Sequence, residues 1–140
     1  MALAFDRDGL GAYLKEIFPQ VAEDFAIDAL DESRLRMRLL TAERHLRPGG
    51  TVSGPSMFAL ADCAIYALIL SRLGPEALAV TTNCSLDFMR KPAAGADVVA
   101  EARLLKLGRV LAVADVLMYS DGQDEPVARA SMTYSIPPKR

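Results

Sequence analysis

In the stretch GPSMFALADCAIYALIL, residues 54–70, a single carboxylate stands among apolar side chains. Asp62 lies seven positions beyond Pro55. On a helix opened by that proline it sits about two turns in, too deep to cap the N-terminus. Its neighbours Ala61, Cys63, Ala64, Ile65 and Tyr66 imply burial, and an isolated buried charge is costly. Two explanations stand open. Asp62 is half of a buried ion pair with an arginine, or on a helix face that reaches solvent; or it is a general base or nucleophile lining a pocket.

The start of the same helix offers the complementary chemistry. The first backbone N–H groups of a helix are unpaired and carry the positive end of its dipole. Gly54 leaves its N–H open to a ligand oxygen, so a carbonyl there is polarised as in an oxyanion hole. The plainer reading is that Gly54 only eases the turn into the helix. Eight residues separate Gly54 from Asp62, which is about 12 Å along a helix axis. A donor and a base acting on one carbonyl carbon must each lie about 3 Å from the reacting atoms. If both act together, Asp62 comes from a second subunit whose helix runs alongside in the opposite sense.

Other chemistries lack their residues. His45 is the sole histidine and no G-x-S-x-G elbow is present, so a Ser–His–Asp triad is poorly supported. His45 reads as a loop or helix-edge residue. One histidine and two distant cysteines do not suit zinc, and no metal is expected. No P-loop or G-x-G-x-x-G occurs, so no nucleotide or organic cofactor is expected. A net charge of −2 gives no general pull toward nucleic acid. The opening MALAFDRDGLGAY does not have the pattern of a signal peptide. The longest apolar run is broken by Asp62 and is expected to be too short for a bilayer. Cys63 and Cys84 form no C-x-x-C pair and are expected to be buried thiols in a reducing cytoplasm.

The elements that position these groups follow from periodicity. At 140 residues and 51% hydrophobic, the chain is expected to form a single α+β domain over 1–140. Residues 5–20 predict a short helix with Leu10, Tyr13, Leu14 and Ile17 on one face. Residues 25–30 and 34–41 alternate with period two around Asp31-Glu32-Ser33, which reads as a hairpin. Leu35, Met37 and Leu39 point one way there, and Arg34, Arg36 and Arg38 the other. The segment 28–32 reads as a solvated turn. Pro55 opens the long helix, with Ser53 or Gly54 as its cap. Gly74-Pro75 stops it near Leu73. Strands are predicted at 79–89, 96–107, 109–120 and 127–136, the middle pair joined tightly at Gly108. A helix apolar all round needs an antiparallel sheet curled about it and a further cover on its open side.

These residues carry a resemblance. SGPSMFALADCAIYAL, preceded by a glycine-bearing loop and followed by NCSLDFMRKPAAGADVVAEARLLKLGR, resembles the hot-dog-fold acyl-CoA thioesterases, and within them the branch of the phenylacetate-degradation thioesterase. The likeness spans roughly residues 25–136. It implies one long helix wrapped by a curved antiparallel sheet, assembled as homodimers or dimer-of-dimers tetramers. It implies hydrolysis of acyl-CoA, with coenzyme A entering only as part of the substrate. By the same resemblance Asp62 falls on the catalytic carboxylate, Gly54 on the glycine whose N–H polarises the thioester carbonyl, and Thr81 on a hydroxyl that holds the attacking water. The glycine and the acid come from different subunits in that family.

Three features depart from the family pattern. Ser53-Gly54-Pro55 replaces the family's His-Gly-Gly, and Ser53 is the residue that replaces the histidine beside the substrate. Arg47 stands where a small polar residue is usual; it is expected to bind an acidic acyl group, to pair with Asp62, or to point to solvent. Since the chain is slightly acidic overall, coenzyme A phosphates need a local basic patch. Arg90 and Lys91 are the first choice, with Lys106 and Arg109 second. A non-catalytic acyl-CoA-binding protein on the same fold is the alternative function.

Overall fold

The computed structural model describes residues 2–138. Helices α1 (Arg7–Ile17) and α2 (Pro19–Ala22) come first. Strands β1 (Phe25–Leu30) and β2 (Arg34–Leu39), a 3₁₀ turn (Glu43–His45) and the central helix α3 (Gly54–Leu73) follow. Strands β3 (Val80–Phe88), β4 (Val98–Leu107), β5 (Leu111–Ser120) and β6 (Pro126–Ser135) complete the chain. The one helix expected over 5–20 is two, because Pro19 cannot continue α1 and Phe18 leaves helical geometry at φ −134°. Asp6 caps α1 by accepting from the Gly9 N–H at 2.6 Å.

The six strands form one antiparallel sheet in the order β1-β2-β4-β5-β6-β3. α3 packs across β2, β4 and β5. Period two brings Leu35, Met37 and Leu39 to the inner face, each about 1% exposed. Small inward residues on the facing strands, Ala100, Ala102, Ala112, Ala114, Ala128 and Ala130, let the helix sit close to the sheet. Leu60, Ala64, Ile65, Leu68 and Ile69 of α3 fill the space between.

The outward arginines of β2 are cross-linked. Arg36 reaches Glu101, and Arg38 reaches Asp28, Asp97 and Asp121 at 2.7–3.1 Å. Asp28 is thus a strand residue in an ion-pair network, not part of a solvated turn. The turn itself is Asp31-Glu32-Ser33, where Asp31 accepts from the Ser33 and Arg34 N–H groups at 2.8 and 2.9 Å.

By length and mean hydropathy α3 could cross a bilayer, contrary to the expectation that the segment is too short. Its apolarity is instead accounted for by the fold, which buries 67% of that window. Burial is continuous from Ala64 to Arg72, whereas Phe58, near its start, is 40% exposed. Cys63 and Cys84 are free and only partly buried.

Candidate active site

Asp62 is held by two hydroxyls. Thr81 Oγ1 donates to Asp62 Oδ1 at 2.6 Å, and Tyr134 Oη donates to the same oxygen at 2.5 Å. Tyr134 also reaches the Asp62 carbonyl at 3.1 Å. Thr81 and Tyr134 are register partners on β3 and β6, so both side chains leave the sheet on the face that meets α3. Immediately after Thr81 the register shifts, a bulge of the kind that re-aims side chains. Tyr134, 2% exposed, is further held by stacking on Tyr66, with ring centroids 6.1 Å apart. Among the described residues no donor reaches Asp62 Oδ2 and no cation pairs with Asp62. Among the described residues the arginine-pair explanation therefore fails, Arg47 included.

Asp62, Thr81 and Tyr134 line a cavity of about 400 Å³ together with Phe18, Cys63 and Tyr66. Burial, then the Asp62 charge, pushes the Tyr134 hydroxyl far above the usual tyrosine range, so it remains a donor. The same two causes push the Cys63 thiol up to about 12. It stays protonated at neutral pH and is no nucleophile.

Gly54 lies in a different cavity, of about 350 Å³, with Arg47, Phe88, Arg90 and Lys91. Ser53 caps α3: its Oγ accepts from the Ser56 N–H at 3.3 Å, and its carbonyl accepts from the Met57 N–H at 3.0 Å. Pro55 has no N–H. Among the described residues the Gly54 N–H has no acceptor, so it is the open donor of the first turn. The Phe88 ring lies over Gly54; a Cβ there would sit 3.3 Å from Cζ. Ser53, expected beside the substrate, spends its hydroxyl on the cap and on Ser56 Oγ.

The glycine loop is pinned from below by His45. Its Nδ1 accepts from the Ala42 N–H at 2.9 Å, its carbonyl accepts from the Ser53 N–H at 2.8 Å, and Nε2 lies 3.4 Å from Asp24. His45 is buried in the 3₁₀ turn, so it belongs to the scaffold of the loop.

The expected basic residues divide between the two ends of the sheet. Arg90 and Lys91 follow β3 beside Gly54, with Arg90 tied to Glu125 and to the Pro126 carbonyl at 2.8 Å each. Lys106 and Arg109 are exposed at the β4–β5 turn. That turn adjoins Ser135 and Val80, at the Asp62 end. Nine residues of β3 separate the ends, about 26 Å at ~3.3 Å per residue. Sequence reasoning missed Tyr134. Its signal was a tyrosine on the inward phase of the last strand, where a buried hydroxyl needs a partner.

The family model of the thioesterase superfamily matches residues 49–127. The chain belongs to that superfamily. It is 67% identical to a candidate thioesterase of Silicibacter sp. TM1040 solved by crystallography, covering 99% of this chain and 96% of that one at a TM-score of 0.93. A mutant of the phenylacetic acid degradation protein PaaI from Thermus thermophilus, also a solved structure, is 28% identical, covering 85% and 99% at a TM-score of 0.72. A candidate esterase of Pseudomonas aeruginosa is 32% identical over 107 residues, 76% of this chain and 78% of that protein. The chain is thus a hot-dog-fold member of the thioesterase superfamily.

Proposed function

We propose that this thioesterase hydrolyses acyl-CoA, with each active site assembled from two copies of the chain. The observation that carries the reading is Asp62: a carboxylate with one oxygen held by two hydroxyls and, among the described residues, no cation and no donor on the other, in a cavity of about 400 Å³. In the proposed step, Asp62 takes a proton from water as the water oxygen bonds to the thioester carbon. The carbonyl oxygen becomes an oxyanion on the partner subunit's Gly54 N–H. The C–S bond then breaks, the oxyanion closes to the acid's carbonyl, and the departing thiolate recovers the proton from Asp62.

Assembly from two copies is supported by the free edge of the sheet. Among the described residues β3 pairs only with β6, and Val80 and Phe88 at its ends are 55% and 53% exposed. An open edge of this kind invites pairing with another chain. If β3 pairs antiparallel with its own copy about the central Cys84, Val80 falls opposite the partner subunit's Phe88. The Asp62 end of one chain then meets the Gly54 end of the other. Phe58, Phe88 and Met89, exposed around the start of α3, would be covered in the same assembly. Arg47 and Lys91, beside Gly54 and without ion-pair partners among the described residues, supply the charge for coenzyme A phosphates.

The test is complementation. Asp62→Asn and Gly54→Pro subunits, each inactive alone, are unfolded together, refolded as a mixture and assayed by thiol release from acyl-CoA. A two-copy site predicts recovery of about one quarter of wild-type activity, since half the dimers are hybrids and each holds one intact site. No recovery, with hybrid formation verified by mass spectrometry, would reject the shared site. A protein that binds acyl-CoA without turnover would instead be the binding module.

A further inference from the structure

Cys63, Tyr66 and Phe18 line the Asp62 cavity, and all three also line a second cavity of about 890 Å³. This larger chamber lies between the N-terminal helices and the β1 edge. Its lining combines the apolar Leu14, Phe25, Ile27 and Met37 with exposed charged side chains, Lys15 and Glu23 among them. Cys63 follows Asp62 on α3, so the partition between the chambers adjoins the carboxylate itself. Phe18 stands at the break between α1 and α2 with its edge toward Tyr66, ring centroids 6.2 Å apart. The neutral Cys63 thiol adds no charge to this passage.

We infer that the acyl group of the substrate is housed in this chamber beneath the N-terminal helices, entering from the Asp62 cavity past Phe18, Cys63 and Tyr66, and that the enzyme is built for acyl groups of medium length or longer. The inference rests on the thioester-hydrolase reading. A cavity of about 400 Å³ must already hold the thioester and the attacking water. Two- or three-carbon acyl groups have no need of a further space more than twice as large, whereas such volumes suit ligands of drug size. The supporting elements α1, α2 and β1 all lie outside residues 49–127, the part matched to the superfamily. Acyl preference can therefore be set in these elements without touching Asp62.

Gly11 gives the decisive variant. It lines the chamber, it is helical, and a Cβ there would meet nothing within 4 Å. Gly11→Leu fills space while replacing glycine with a far better helix former, so folding is not at risk. The wild-type oligomer is assayed on saturated acyl-CoAs from propionyl to dodecanoyl. Specificity, kcat/KM, is expected to rise about fourfold per methylene until the chamber is full. In Gly11→Leu the decanoyl-to-propionyl ratio of kcat/KM should fall about tenfold or more. A flat length series, or a ratio unchanged by Gly11→Leu, overturns the chamber assignment. Calorimetric binding of decanoate, the product, is measured in parallel on Asp62→Asn with and without Gly11→Leu. Weakened decanoate binding in the double variant, together with no acyl-CoA turnover by the wild type, would retain the chamber and reject the hydrolase reading. Equal binding would reject the chamber.

Discussion

The Asp62 end of the sheet and the Gly54 end are built from different materials. At the Asp62 end a carboxylate, two hydroxyls and a stacked tyrosine pair converge on rigid elements, with Tyr134 fully inside the fold. Their geometry is complete within one chain. At the Gly54 end the key group is a backbone N–H fixed by the helix cap, and around it stand long cations and the half-exposed Phe88 ring. That end is ordered in its backbone and open in its side chains. Side chains that must hold a base in one pose need packing. A helix-terminal donor already has its direction from the helix and needs only a cover that excludes water.

The contrast breaks most sharply at Asp62. Asp62→Asn still accepts from Thr81 and Tyr134 but loses basicity, so kcat should fall about 10²–10⁴-fold. Because no cation is stranded, the melting temperature should stay near wild type. A marked drop in melting temperature with kcat retained would make the acid structural. At the other end, Gly54→Pro deletes the N–H and sets a ring against Phe88, whose Cζ would lie 3.3 Å from the new Cβ. Proline suits the first helical position, and Ser53 before it is already extended at ψ 157°. Loss of one oxyanion donor should lower kcat about 10²–10³-fold, with circular dichroism unchanged. A fully active Gly54→Pro enzyme would remove this end from the chemistry.

Tyr134→Phe leaves Thr81 as the single donor to Asp62 Oδ1, and kcat should fall about tenfold or more. It also carries a stability signature. The folded state holds the Tyr134 proton above the ordinary value of 10.0, so this contribution is complete below the unfolded-state pKa and is lost as pH rises above about 10. The wild type should lose stability on that alkaline side faster than Tyr134→Phe in thermal melts across about pH 9–11. The smallest effect belongs to the exposed cations. Arg90→Ala with Lys91→Ala should raise KM for acyl-CoA about 2- to 10-fold at low salt with kcat held. That difference should shrink as salt is added. An unchanged KM would leave the phosphates to Arg47 or to Lys106 and Arg109 of the opposite end.

Much of this was legible in the sequence because it depends on local rules. Ser53-Gly54-Pro55 announces a helix start, Gly74-Pro75 its end, and the lone acid between them marks the site. Alternation puts Leu35, Met37 and Leu39 inside and the arginines outside. The break of the N-terminal helix at Phe18-Pro19 is signalled by the proline, although the apolar period alone gives no sign of it. Tyr134 does not stand out, since one inward tyrosine on a strand declares a need for a partner without naming it. The division of the basic residues into two ends is also hidden, because it depends on which strands neighbour β3.

By itself, then, the sequence determined the helix that carries Asp62 and Gly54 and, through the fixed rise of about 1.5 Å per residue, that these two groups are too far apart to serve one carbonyl within a chain. Periodicity and helix geometry are properties of neighbouring residues and need no partner to be read. Only the tertiary structure decided that Asp62 meets hydroxyls rather than an arginine, that Ser53 is committed to the helix cap, and that the N-terminal helices leave a chamber beside Cys63. Each of those depends on strand order and register, which bring Thr81 beside Tyr134 across 53 positions of chain, and no local rule fixes a contact at that separation.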